Sequence, residues 1–300
     1  MRTRVLAGLL LAASLTLTAC GGGGGAASSP TCPDGKLTLG VEPFEDPGKL
    51  VPAARLLGDA VGKKLNCPVD VQVTEDYAAE VLAMRNDKLD IGIYGPLGYV
   101  FASQKAGAEA VASFGTADGK LSTYTGGIWV PKSSDITSVA QLRGRTLALG
   151  AVGSTSGDAL PRQALVDAGL GKPDVRVDYA GGHPQALLSL ANGKTDAAEI
   201  NSQQLATATK AGTFDPSKFR QIWKSAPIPN DPVTVRSSMD PQLRQAVVDA
   251  LLHLDKQSVG QMADLLDVEP PGALVPASQQ NYQPLFELAQ KLGLTEKDAG

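Results

Sequence analysis

Short apolar strands alternate with helix-spaced segments through most of this chain, and that alternation restricts the fold more than any single motif. "KLTLGVE" (36–42), "VDVQVT" (69–74) and "LDIGIYG" (89–95) have strand length and apolar or alternating character. Between and after them, "LVPAARLLGDAVGKKL" (50–65), "DYAAEVLAMRNDK" (76–88) and "PLGYVFASQKA" (96–106) repeat apolar residues at helical spacing. The last of these opens on proline, which suits a first helical position. "STYTGGIWVP" (122–131) reads as a further strand. A second series follows: strands in "RTLALG", "VRVDYA" and "TDAAEIN", helices in "DALPRQALVDAGL", "HPQALLSLANGK" and "SQQLATATKAG", then the extended "FRQIWKS" and "VTVRS". The last quarter returns to helices in "DPQLRQAVVDALLHLDK", "VGQMADLLDV" and "NYQPLFELAQKLGL". Two series of this kind predict two α/β lobes with parallel or mixed sheets.

Ligands of open α/β sheets sit beyond the carboxyl ends of the strands. The polar clusters of this chain fall there: Tyr94, Ser154 to Ser156, His183, and Asn201 to Gln203. Loops from different strands are therefore expected to converge on one crevice. In "GSTSGDALP", three hydroxyls stand at a helix start, where backbone N–H groups are unsatisfied and the dipole is positive. Small residues let an oxyanion approach those groups closely. A helix cap needs only one hydroxyl, so three in a row predict an oxyanion cradle built without lysine or arginine.

The first residues have another purpose. Arg2 and Arg4 precede the apolar "VLAGLLLAASLTL", too short to span a bilayer, and mark residues 1–19 as a signal peptide. "LTAC" resembles the bacterial lipoprotein cleavage box, which implies lipid on Cys20. The glycine-rich stretch after it makes 20–35 a flexible tether. Export favours a disulfide, so Cys32 and Cys67 are expected to pair rather than remain free thiols. The net charge of −4 argues against nucleic-acid binding and against adhesion to anionic lipid. Membrane association is thus expected through the lipid alone, for a monomeric body of two lobes.

Catalytic readings fail on the residues. The G-x-S-x-G elbow has Thr155 where serine is required. Of two histidines, only His183 is near the clusters, and no acid stands out to orient it. "NGKT" (192–195) lacks the first glycine of a phosphate loop, with Leu188 in its place. No spacing of histidine, cysteine or carboxylate suits a metal. No enzyme, metal or cofactor is expected.

"EDYAAEVLAMRNDKLDIGIYGP", "GSTSGDALP", "GGHPQALLSLANGKTDAAEIN" and "IWKSAPIPNDPVTV" occur in this order. Together, over roughly 36–265, they resemble the substrate-binding proteins of phosphonate, phosphite and phosphate ABC importers. The resemblance implies a bilobed periplasmic-binding-protein fold, type II-like, that closes over its ligand. Lobe 1 would comprise 36–124 with 234–300, and lobe 2 would comprise 125–233. It implies first-lobe pocket residues at Tyr77 and Tyr94, the oxyanion cradle at Ser154, Thr155 and Ser156, and a donor at His183. Asp231, in "PNDP", would face a protonated ligand oxygen. A permease and an ATPase are the implied protein partners.

Aminoethylphosphonate binders of this family carry an acid where this chain has Gln203. Glu199 lies four residues earlier, and alternation from Ala198 turns it to another side. A small phosphorus oxyanion (phosphite, phosphate or methylphosphonate) is therefore expected rather than an aminoalkylphosphonate. Asp231 as acceptor would exclude a bare anion such as sulfate. The rival readings are a sensory accessory lipoprotein and a binding protein for another anion such as a sulfonate.

Overall fold

The apolar alternation of residues 37–41 gives β1 (Leu37–Val41), buried at four of its five positions. It pairs in parallel with β2 (Val69–Val73) on one side and β3 (Ile91–Ile93) on the other. Burial on both faces is what lets such a strand be apolar throughout. This computed structural model describes residues 32–295; Cys20 and the rest of 1–31 lie outside the described residues.

Each crossover is a helix with a recognisable start. Asp46 accepts from Gly48 N at 2.8 Å to open α1 (Pro47–Leu65), which closes on Asn66 at φ 50°. Asp76 does the same for α2 (Tyr77–Arg85), accepting from Ala79 N at 2.7 Å. The chain then forms α3 (Pro96–Ala106) and the strand β4 (Ala108–Thr116). The first sheet has six strands in the order β13-β4-β12-β3-β1-β2, where β12 is Pro232–Arg236 and β13 is Pro271–Pro276. Its apolar faces are covered by α1, α7 (Pro241–Leu252) and α8 (Lys256–Leu265) on one side. On the other lie α2, α3 and α9 (Gln283–Leu292).

The second sheet comprises β6 (Gly127–Pro131), β7 (Thr146–Leu149), β8 (Arg176–Tyr179), β9 (Ala197–Glu199) and β10 (Phe219–Lys224), in the order β10-β6-β9-β7-β8. Helices α4 (Leu160–Asp167), α5 (His183–Ala191) and α6 (Ser202–Lys210) cover it. Between the sheets runs a two-stranded ribbon of β5 (Thr123–Tyr124) and β11 (Ile228–Pro229). Cys32 and Cys67 are disulfide-bonded at the end of α1. Among the described residues no helix is long and apolar enough to cross a membrane.

Three features differ from the sequence reading. "STYTGGIWVP" is two strands, β5 in the ribbon and β6 in the second sheet. The expected helix from residue 158 is preceded by a wider π-type turn over Thr155–Ala159. Strands β4 and β13 were not anticipated. "AEAVASFGT" is rich in alanine, and "PGALVP" is bounded by prolines, so neither has strong strand character. Their pairing with β12 and with each other supplies the order that their composition does not.

Candidate anion-binding site

The loop after β7 carries the three hydroxyls, and each has its own partner. Ser154 Oγ accepts from Gly157 N at 3.2 Å, capping the π-type turn. Thr155 Oγ1 accepts from Leu97 N at 2.8 Å. Leu97 lies in the first turn of α3, on the first sheet, so this bond crosses between the two lobes. Ser156 Oγ accepts from Asn201 Nδ2 at 3.1 Å, while Asn201 caps α6 through Gln204 N at 2.7 Å. All three hydroxyl residues are buried.

His183 opens α5 beside them. Its Nδ1 is 2.7 Å from Glu199 Oε1, and its Nε2 is 3.3 Å from Ser154 Oγ. An acid does orient this histidine, contrary to the sequence reading. Strand β9 is buried at all three positions, so neither side faces solvent and alternation gave no guide to Glu199. Burial opposes charge on the imidazole, but Glu199, with smaller contributions from Glu45 and Asp231, outweighs it and holds the His183 pKa above its ordinary value.

Two tyrosines reach the hydroxyls. Tyr77, the first residue of α2, sets its phenol against the Ser154 hydroxyl. Tyr124, on the ribbon, sets its phenol against Ser156 and Thr155. The sequence reading missed Tyr124; its place at a crossing between strand series was the available signal. Tyr94 goes elsewhere. It is fully buried in the first lobe, with its hydroxyl 3.4 Å from the Glu80 carbonyl oxygen. A Cβ on Gly92 would stand 2.4 Å from the Tyr94 ring, so glycine there makes room for it. Gln203 also turns away from the hydroxyls. Its Nε2 donates to Asn230 Oδ1 and to the Leu266 carbonyl, each at 3.1 Å, joining α6 to the ribbon and the first lobe.

Asp231 sits in the link between β11 and β12. Its N–H donates to Asn230 Oδ1 at 3.0 Å, and its carbonyl accepts from Ser113 Oγ at 2.9 Å. The backbone is thus fixed, yet among the described residues no hydrogen bond reaches the carboxylate. Burial pushes its pKa up to about 7, against the lowering effect of His183. A second acid, Glu42, follows β1 and was not singled out from sequence. Its Oε2 accepts from Gly95 N at 2.5 Å, and its Oε1 has no partner. Burial, then Glu80 and Asp231, push Glu42 well above the usual carboxylate range. Burial does the same to Glu80. Burial and crowding thus favour the protonated form of these acids, and a protonated carboxyl can donate to an oxyanion.

The family model for the ABC transporter phosphonate periplasmic substrate-binding protein matches residues 39–282. The chain belongs to this family. Its members are binding proteins rather than enzymes, so the Ser154–His183–Glu199 chain is part of a phosphonate-family binding protein and not a hydrolytic triad. The phosphonates-binding periplasmic protein of Escherichia coli K12 is 28% identical over 228 residues, 73% of this chain and 66% of its own length. The phosphate-import protein PhnD of Mycolicibacterium smegmatis is 25% identical over 221 residues, 69% of this chain and 68% of its own length. Among solved structures, PhnD1 of Prochlorococcus marinus in complex with methylphosphonate superposes with a TM-score of 0.75 at 19% identity, covering 88% of this chain and 99% of that one. At that identity the likeness is one of fold: two α/β lobes, as the two sheets of this family member are built.

Proposed function

We infer that the protein captures a small phosphorus oxyanion (phosphite, phosphate or methylphosphonate) outside the cytoplasm and delivers it to the permease and ATPase of an ABC importer. The observation that carries this reading is the convergence of hydroxyl donors from Tyr77, Tyr124 and Ser154 to Ser156 on the unpaired carboxyl of Asp231, with His183 as the cation facing it. Hydroxyls, backbone N–H groups and an imidazolium suit a tetrahedral oxyanion. Asp231 adds a demand for one proton, carried either by the ligand as P–OH or by the carboxyl itself. Sulfate carries no proton near neutrality, so it relies on the one Asp231 holds and binds more weakly.

Tyr94 contributes to this site by shaping the first lobe, since its hydroxyl is engaged with Glu80. Gln203 contributes by what it is not: with no acid at this position, the ammonium of aminoethylphosphonate gains no ion pair there. The lobes are 36–124 with 234–300, and 125–233, and the crossings near Thr123–Gly126 and Ile228–Thr234 serve as the hinge. The body is a monomer held at the membrane by lipid on Cys20 through the 20–35 tether. Replacing Cys20 by alanine releases the protein from membranes on fractionation; retention of the variant contradicts the anchor. Calorimetry with phosphite, phosphate, methylphosphonate, aminoethylphosphonate and sulfate tests the ligand class. Binding of aminoethylphosphonate or sulfate as tight as the best of the other three contradicts it.

A further inference from the structure

The hydroxyl of Ser154 has one hydrogen to give and two lone pairs to fill. One lone pair is filled by Gly157 N–H at 3.2 Å. Its other neighbours are the Tyr77 phenol and His183 Nε2 at 3.3 Å, and the direction of the His183 bond depends on the imidazole. Glu199 Oε1 at 2.7 Å from Nδ1 fixes a hydrogen on Nδ1. A neutral ring then presents a bare Nε2, which takes the Ser154 hydrogen. A charged ring donates from Nε2, fills the second lone pair, and leaves the Ser154 hydrogen free to point at the Tyr77 phenol or a ligand oxygen.

We propose that Glu199 is a positioning residue for anion capture: by holding His183 as an imidazolium, it turns the Ser154 hydrogen towards the ligand. This rests on the reading of Ser154 as a ligand donor. The site is built around the pair. A Cβ on Gly150 would stand 2.8 Å from Glu199 Oε1, and one on Gly157 would stand 2.8 Å from His183 Cε1 and 3.0 Å from Ser154 Oγ. Gly150, just after β7, and Gly157, which closes the hydroxyl motif, therefore admit the Glu199–His183 pair against it. The charged groups facing His183 are Glu199 on β9, Glu45 after β1 and Asp231 between β11 and β12. Glu199 is the one in contact, and its contribution is the largest of those that favour the charged ring. Its Oε2 is buried without a partner, so the carboxylate is oriented by His183 alone among the described residues.

The test compares Glu199→Gln, Glu199→Asp and the unaltered protein. Proton–nitrogen NMR of the full soluble body reads the His183 ring, and calorimetry with methylphosphonate reads affinity from pH 5.5 to 8. In Glu199→Gln the ring loses its charge at lower pH than in the unaltered protein. The affinity deficit of this variant is less than about twofold at pH 5.5 and grows to about tenfold at pH 8, the value of one hydrogen bond. Glu199→Asp, which keeps the charge, shows a smaller deficit at pH 8. An unchanged ring titration in Glu199→Gln overturns the proposal, and so does a deficit of equal size at every pH, which marks a merely structural residue. The ring titration needs no ligand. Failure of methylphosphonate to bind the unaltered protein would therefore count against the ligand reading, while the NMR still decides the role of Glu199.

Discussion

On the proposed function, Asp231 is the residue at which stability and ligand binding oppose each other. Among the described residues no hydrogen bond reaches its buried carboxyl, and burial pushes its pKa up to about 7, where an exposed aspartate has about 3.9. A carboxyl whose folded pKa is raised binds more protons folded than unfolded between those values. Stability then falls as pH rises through that window, and the loss is complete above about pH 7. At about 1.4 kcal/mol per unit, the loss is on the order of 4 kcal/mol. Asp231→Asn does not titrate. It is predicted to unfold at higher denaturant than the unaltered protein at pH 8 without added anion, and to match it near pH 4. Equal stability at pH 8 would mean that the carboxyl is solvated or paired. The sequence could offer Asp231 as a candidate because its neighbours matched a family motif, but its isolation is a property of the tertiary environment. Glu42 and Tyr124 were illegible for the same reason. Each is ordinary at its own position and acquires a role only when the ribbon and β1 bring it to the hydroxyls.

At the scale of elements, most strands and helices were legible because their apolar spacing and caps agreed. Asp46 and Asp76 sit one residue before their helices, and asparagine follows α1 where a left-handed residue is needed. What failed had no local signal: β4 and β13 depend on their neighbours, and the side of Glu199 on β9 could not be read from alternation in a strand buried on both faces. The glycines of the hydroxyl loop are an element-scale requirement. Gly157→Ala forces a Cβ against His183 and Ser154. It is predicted to weaken anion binding by at least about tenfold while retaining the fold's circular dichroism. Affinity within twofold of the unaltered protein would show that the loop relaxes freely. An overpacked, ordered site generally resists such an insertion by about 1–3 kcal/mol.

At the scale of the whole molecule, the bond from Leu97 N to Thr155 Oγ1 joins the start of α3 to the hydroxyl loop of the other lobe. It exists only when the lobes are together, so it favours closure without touching either lobe's core. Thr155→Val keeps the shape and removes the acceptor, leaving a buried N–H unpaired at a cost of about 1–3 kcal/mol. Its ligand affinity is predicted to fall roughly tenfold, with less compaction in solution scattering when anion is added. Thr155→Ser is predicted to behave nearly as the unaltered protein. Equal compaction in Thr155→Val would remove this bond from the closing mechanism. Gln203, donating to Asn230 and Leu266, also ties the second lobe to the ribbon and the first. Its place in the sequence suggested a ligand contact, and its geometry shows a contact between lobes.

The demand for one proton at Asp231 is the central claim, and calorimetric measurement of proton exchange tests it most directly. Titrations of phosphite and methylphosphonate, whose dianions carry no P–OH, in buffers of differing ionisation enthalpy, from pH 5 to 9, give both affinity and protons bound. Above about pH 7 both Asp231 and the ligand are deprotonated when free, the second pKa of a phosphomonoester being about 6. The account predicts uptake of close to one proton there and affinity falling towards tenfold per pH unit. In Asp231→Asn, whose amide can donate to a bare oxygen, it predicts little uptake, a flatter profile and tighter sulfate binding than in the unaltered protein. A flat profile with no proton uptake in the unaltered protein would contradict it.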